Sequence, residues 1–253
     1  MERRESFNTA AQLYDEARPS YPDVAIDWIL DRTNIGSDDT LLEIGPGTGQ
    51  ATLKFAERGY KIRGVELGQN MADMLMQKVG NYNVTVDVGP FETWEPRTAL
   101  QIPLIYSATA FHWIDEDVRY SKAHDLLKDG GHLALLFNSA TDRSREEVKE
   151  AQELLRKYHT ESMGEWGFSR DTRWTREIAD SGYFSLVDHL DYKWKMEITK
   201  DRLTKAFYSQ SAYLSLDDDA KKEVTAQVEE VFSGLDDVFE SNYKTTVYLA
   251  RKK

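Results

Sequence analysis

Positions 43–50 read Glu43-Ile44-Gly45-Pro46-Gly47-Thr48-Gly49-Gln50, three alternating glycines behind a carboxylate. Glycine adopts left-handed backbone angles at no steric cost and lets a ligand approach the main chain, which suits such a turn to cofactor binding. Further on, Gly64-Val65-Glu66-Leu67 sets a second carboxylate at the end of another apolar run, where it can accept both hydroxyls of a ribose. The bland alternatives are a tight turn and a surface acid; side by side, the two features point to a nucleoside-bearing ligand. A dinucleotide fingerprint starting at Gly45 needs glycine at position 50, which is Gln50, and no Gly-Lys-Ser/Thr follows to make a phosphate loop. A third group is Ser107-Ala108-Thr109-Ala110-Phe111-His112-Trp113. His112 titrates in the range useful to a general base, and Trp113 offers a ring face to a cation. A backbone-bonded imidazole and a core tryptophan are the alternatives for these two.

These residues need elements to hold them. Thr40 to Ile44 reads as a buried strand and is followed by a helix over 50–58, a strand over 61–66, a helix over 71–79 and a strand over 83–88. That is βαβαβ, half of a doubly wound sheet. A strand over 103–108, a helix over 117–127 and a strand over 131–137 after Asp129-Gly130-Gly131 continue the alternation. Upstream, Ser20 reads as the cap of a helix with Pro22 in its first turn and Val24, Ala25, Trp28 and Ile29 on its buried face. Beyond residue 138 the rhythm breaks. A charged helix shows Val148, Ala151, Leu155 and Tyr158 on one face, a helix is expected over 175–181, strands over 185–194 and 243–250, and Val224, Val228, Val231 and Phe232 recur at helical spacing. The segments at about 140–174 and 199–233 read as helical insertions in a single domain spanning 1–253, with 1–35 forming N-terminal helices.

With 40% hydrophobic and 30% charged residues, the chain has no apolar run near the roughly 20 residues that cross a bilayer. No membrane segment or secretory leader is expected. The chain contains no cysteine, which removes disulfides, thiolate metal sites and a cysteine nucleophile. A net charge of −12 repels polyanions and sets nucleic acid aside as a partner. The expectation is a cytoplasmic protein acting on a small molecule without a metal.

The segment EIGPGTG meets the pattern E/D-x-G-x-G-x-G, and in this the chain resembles the class I S-adenosylmethionine (SAM)-dependent methyltransferases. Gly89-Pro90-Phe91-Glu92 is similar to the motif that family carries after its third strand, with Pro90 in place of the usual aspartate. The Ser107–Trp113 segment and the Lys128-Asp129-Gly130-Gly131 turn resemble the family's next motifs. Phe7, Ala11, Tyr14, Arg18, Pro19, Tyr21 and Pro22, joined to Phe111-His112-Trp113, look like the methyltransferase type 11 group that includes trans-aconitate methyltransferases. The resemblance covers residues 7–137 well and the C-terminal 60 residues more loosely.

It implies an α/β Rossmann-like sheet of seven mostly parallel strands, the last antiparallel, with helical cap insertions. It also implies SAM as cofactor and S-adenosylhomocysteine as product. Glu43 is then expected at the SAM amino group, Gly45, Gly47 and Gly49 along the methionyl end, Glu66 and Leu67 at the ribose, and Phe91 and Glu92 at the adenine. Thr109 and Phe111 complete the cofactor site, while Tyr14 and Arg18 belong to a lid in which the arginine meets a carboxylate. His112 and Trp113 are the catalytic candidates. Trp166, Phe168, Arg170, Arg173, Trp174, Phe207, Tyr208 and Tyr213 are the candidates for lining a substrate pocket. The expected reaction is methyl transfer to a small molecule, with a carboxylate oxygen of an organic acid as acceptor. Alternatives are N- or C-methylation of a small metabolite, a nicotinamide-dependent oxidoreductase and a non-catalytic SAM-binding protein.

Overall fold

The computed structural model describes residues 4–96, 101–141, 145–158 and 170–253. In chain order the elements are α1 (Ser6–Thr9), α2 (Ala11–Ala17), α3 (Asp23–Arg32), β1 (Thr40–Ile44), α4 (Thr52–Ala56), β2 (Lys61–Glu66), α5 (Gln69–Val79), β3 (Val84–Val88) and β4 (Ile102–Ala108). There follow a 3-10 turn at Phe111–Trp113, α6 (Glu116–Leu126), β5 (Leu127–Ala140), α7 (Glu146–Arg156), α8 (Arg170–Asp180), β6 (Phe184–Thr199), α9 (Lys200–Tyr208), α10 (Ser211–Leu214), α11 (Asp218–Ser233) and β7 (Val238–Lys252). No helix among the described residues is long and apolar enough to cross a membrane.

Residues 19–138, 169–192 and 245–253 form one compact unit, and residues 1–18, 139–168 and 193–244 form another. The second unit thus takes α1 and α2, but not α3, together with most of the stretches over 140–174 and 199–233.

The first unit is built on the sheet, ordered β3-β2-β1-β4-β5-β7-β6 with the last strand antiparallel. β1 lies parallel between β2 and β4, β3 continues from β2, and β5 from β4. Both faces of β1 are buried. Leu41 joins Ile26, Ile29, Phe55, Leu75 and Tyr106 in one core, and Leu42 and Ile44 join Val65, Ile105, Phe111 and Leu135 in the other. That two-sided burial is why β1 reads as an unbroken apolar run. β5 starts earlier than expected because Leu127 already pairs with Ile102; the register then slips so that Leu104 meets His132, and Lys128-Asp129-Gly130-Gly131 bulges out. Gly130 holds φ +72, and a Cβ on Gly131 would sit 2.9 Å from the Lys128 carbonyl oxygen, so the turn needs both glycines.

α3 departs from its expected start. Pro22 is its N-cap and no side chain caps it; the Ser20 hydroxyl donates instead to the Gln50 carbonyl at 3.1 Å. Val24 faces solvent, and Ile26 takes its place beside Ala25 and Ile29 in the buried stripe.

In the second unit Ala151, Leu154 and Leu155 of α7 pack with Phe207 of α9 and Val224, Val228 and Phe232 of α11. Tyr158, expected on the apolar face of α7, is exposed. Side chains cap two of these helices: Thr199 accepts from the Arg202 N–H at 3.1 Å and Asp217 from the Ala220 N–H at 2.8 Å. Arg202 also donates to the carbonyls of Ala17 and Arg18, both at 3.2 Å, tying α9 to the end of α2.

Candidate functional site

At the carboxyl end of β1 the chain turns through Gly45, Gly47 and Gly49 with φ of +66°, +57° and +96°. A Cβ on Gly45 would lie 2.5 Å from the Ala110 Cβ, and one on Gly49 would lie 2.5 Å from Leu75 Cδ1. Neighbouring packing as well as backbone angle therefore demands glycine at these two positions. Lys78 of α5 donates to the Thr48 carbonyl at 2.8 Å, and Gln50 reaches back to the Thr48 hydroxyl at the same distance. The turn is thus held from outside as well as by its own geometry.

Glu66 closes the other side. At the end of β2, with 8% of its surface exposed, it accepts the Gly47 N–H on Oε2 at 2.8 Å and the Gly68 N–H on Oε1 at 2.9 Å. Burial raises its pKa, while the N–H groups of Gly68, Gly47 and Leu67 oppose the shift. Leu67, half-buried, follows it into the loop.

Glu43 is wholly enclosed. Its Oε2 accepts from the Thr52 hydroxyl at 2.6 Å and the Tyr106 hydroxyl at 2.9 Å, while Oε1 has no hydrogen-bond partner. Burial pushes its pKa up to about 7 against the pull of those two donors, and the nearby Glu66 charge adds to the rise. Neither Thr52 nor Tyr106 carried a signal in the sequence, since each becomes visible only once β1, α4 and β4 are packed.

Beyond β4, Thr109 is the one described non-glycine residue with positive φ, at +58°, and its hydroxyl lies 2.8 Å from that of Tyr21. His112 and Trp113 follow on the 3-10 turn, half-buried, with ring centroids 4.9 Å apart. Phe111 has no exposed surface and is packed against Tyr120 and Trp174 at centroid distances of 5.2 and 6.1 Å. The buried Arg119 guanidinium lies over the same three rings and pairs with Glu177 at 2.6 Å, locking the cluster. Phe111 anchors the turn through this buried cluster. Phe91 is almost as deeply buried, at 2% exposure, leaving little ring for an adenine to stack on. Glu92 beside it accepts from the Asp115 N–H at 3.3 Å, and Lys122 donates to its carbonyl at 3.1 Å.

Tyr14 and Arg18 belong to the second unit. There the Arg18 guanidinium lies 4.9 Å from the centroid of the Tyr14 ring, and its buried Nε has no hydrogen-bond partner. Among the expected pocket residues, Trp166, Phe168 and the side chain of Arg170 lie outside the described residues. Arg173 pairs with Glu177 and Glu116, and Trp174 is a core residue stacked on Phe137. Phe207 is likewise core, while Tyr208 and Tyr213 are half-buried with centroids 4.8 Å apart.

A sheet ordered β3-β2-β1-β4-β5-β7-β6, with a glycine turn after β1 and a carboxylate after β2, defines a Rossmann-like nucleoside-cofactor enzyme of the class I methyltransferase kind. The chain belongs to the SAM-dependent methyltransferases: residues 41–131 match a methyltransferase domain family, a stretch that holds the glycine turn, Glu66 and His112. It is 30% identical to an uncharacterised methyltransferase of Geobacillus kaustophilus over 62% of this chain and 78% of that one. It is 25% identical to an uncharacterised methyltransferase-like protein of Schizosaccharomyces pombe over 89% of this chain and 85% of that one. Mycobacterial relatives are matched over 54% of their own length. A solved structure from Anaeromyxobacter dehalogenans, assigned as a type II methyltransferase, shares the fold with a TM-score of 0.62 at 18% identity, covering 92% of this chain and 97% of that one.

Proposed function

We propose that this enzyme transfers the methyl group of SAM to a small molecule, and that the acceptor atom is a carboxylate oxygen of an organic acid. The cofactor reading rests first on Glu66. Its oxygens take the N–H groups of Gly47 and Gly68, and the Leu67 N–H also bears on the carboxylate; an ionised carboxylate offers about four acceptor positions, so capacity remains for a ribose hydroxyl. The methionyl end fits the left-handed glycines, which admit close approach to the main chain.

Bound SAM supplies an electrophilic methyl on a positively charged sulfur. What the chain adds is position, because in-line displacement gains most from holding the acceptor at near-attack distance. Trp113 gives a ring face that favours the positive sulfur and excludes water. An acid acceptor is already ionised near neutral pH and needs no base, which leaves His112 to orient it. Support for the acid comes from the resemblance to the trans-aconitate methyltransferase group. The lack of cysteine and the net charge of −12 support a cytoplasmic setting away from nucleic acid.

The test is to incubate the protein with SAM and a panel of mono-, di- and tricarboxylic acids, following S-adenosylhomocysteine release and methyl ester by mass spectrometry. The expected result is ester from an acid, with His112→Ala keeping kcat within about tenfold of wild type. Methylation of amines or alcohols alone, with His112→Ala losing about 10²–10⁴-fold in kcat, would replace the acid reading with one in which His112 is the base.

A further inference from the structure

Thr109 stands at φ +58°, in the left-handed region where a β-branched side chain is strained. It follows directly on β4, and the course of the chain beyond it depends on that one backbone angle. The Ala110 Cβ fills the space that a Cβ on Gly45 would need, 2.5 Å from where it would stand. The Trp113 N–H then closes on the Ala110 carbonyl at 2.9 Å, forming the turn that carries His112. Thr109 is held from two sides. Its N–H donates to the Leu136 carbonyl at 2.8 Å, at the end of the β4–β5 ladder, and its hydroxyl lies 2.8 Å from that of Tyr21. Tyr21 is a firm partner, because its ring belongs to the core that holds Ile26, Ile29 and Tyr106. Its neighbour Ser20 donates its hydroxyl to the Gln50 carbonyl at 3.1 Å, and its own carbonyl accepts from the Asn138 amide at 3.2 Å. The buried Thr245 hydroxyl in turn donates to Asn138 Oδ1 at 2.6 Å. Ser20 and Tyr21 therefore strap together the glycine turn and the ends of β4 and β5, all inside the unit built on the sheet.

We propose that Tyr21 is a positioning residue: through the Thr109 hydroxyl it holds the chain after β4 in its left-handed form, and so fixes Ala110 against the glycine turn and His112 and Trp113 beside the cofactor. This rests on the cofactor reading above. Tyr21 needs no contact with a ligand to act in this way. Its hydroxyl offsets a backbone angle that threonine otherwise leaves, since strain of this kind persists only where the surroundings over-determine it. Without that bond the segment relaxes toward ordinary angles, and Ala110 and the turn behind it move together. Methyl transfer is sensitive to such a shift, because a misplacement of about 1 Å costs about 10²-fold in rate.

The experiment uses the whole chain and two readouts. In the first, the tryptophan indoles are isotope-labelled and followed by NMR without ligand, the Trp113 signal being assigned with Trp113→Phe. Tyr21→Phe is expected to shift or split that signal and to leave in place the signal of Trp94, whose indole donates to Asp87 at 3.0 Å. In the second, S-adenosylhomocysteine, which carries no reactive methyl, is titrated calorimetrically. Tyr21→Phe is expected to bind it up to about tenfold more weakly, the factor by which one net hydrogen bond shifts a two-state turn. Thr109→Val removes the other hydroxyl and is expected to do the same, with the double variant losing no more than either alone, since both changes break one bond. Glycine takes the left-handed angle without strain. Adding Tyr21→Phe to Thr109→Gly is therefore expected to cost no further affinity, whereas a general loss of stability would weaken every background alike. An unmoved Trp113 signal, an unchanged affinity in Tyr21→Phe, or losses that add in the double variant overturn the proposal while leaving the cofactor site standing. If S-adenosylhomocysteine does not bind wild type at all, the cofactor reading falls and this proposal falls with it.

Discussion

Glu43 makes the strongest residue-level claim on stability. A carboxyl whose folded-state pKa lies above its unfolded value holds its proton more tightly when folded. Its contribution is therefore intact below the ordinary value of 4.5 and declines as pH rises toward about 7, at a cost of up to about 3 kcal/mol in the unliganded protein. Glu43→Gln should then melt above wild type by a margin that grows between about pH 5 and pH 8; superimposed melting curves across that range would contradict the assignment. At Gly47, φ is +57° and the N–H is bonded to Glu66, so Gly47→Val should abolish SAM binding while much of the fold survives. Unchanged affinity in a folded variant would show that the turn does not hold the cofactor. The glycine turn after β1 and the carboxylate at the end of β2 were legible in the sequence because their placement depends on local spacing. The burial of Phe111 and Phe91 was not, because it depends on Trp174, Tyr120 and Lys122 arriving from elsewhere in the chain.

Among the elements, the βαβ alternation was readable because two-sided burial writes apolar runs and each crossover ends in glycine or a charged turn. Errors fell at boundaries. Ser20 has the residue type of a cap, yet its hydroxyl is drawn to the Gln50 carbonyl, and α3 begins after Pro22 instead. β5 begins before its glycine turn because Leu127 pairs with Ile102 across a slipped register that no local pattern records. The Tyr21–Thr109 hydroxyl pair joins the chain just before α3 to the end of β4 and steadies a residue at positive φ. Tyr21→Phe should cost about 1 kcal/mol in denaturant unfolding, and no change would mean the bond contributes nothing net. In the second unit Leu155 of α7 is fully buried, and Leu155→Ala should cost about 2–5 kcal/mol. A loss well under 1 kcal/mol would mean that this core is loosely packed.

For the molecule as a whole, the alternation up to residue 138 corresponds to most of the unit built on the sheet, and the break in rhythm after it to the point where the chain enters the second unit. The sequence could mark that change because strand and helix periodicities differ, but it could not show that residues 1–18 join the second unit, since that grouping rests on contacts such as Arg202 with Ala17. The net charge of −12 acts over the whole surface and should keep the protein from retarding DNA or RNA in a gel even at low salt; a salt-sensitive shift would reveal a basic patch. Whether the glycine turn and its two carboxylates form a SAM site is met most directly by titrating the purified protein in a calorimeter with SAM, S-adenosylhomocysteine and NAD(H). Micromolar binding of the first two and none of the third is expected, whereas selective binding of NAD(H) would contradict the assignment.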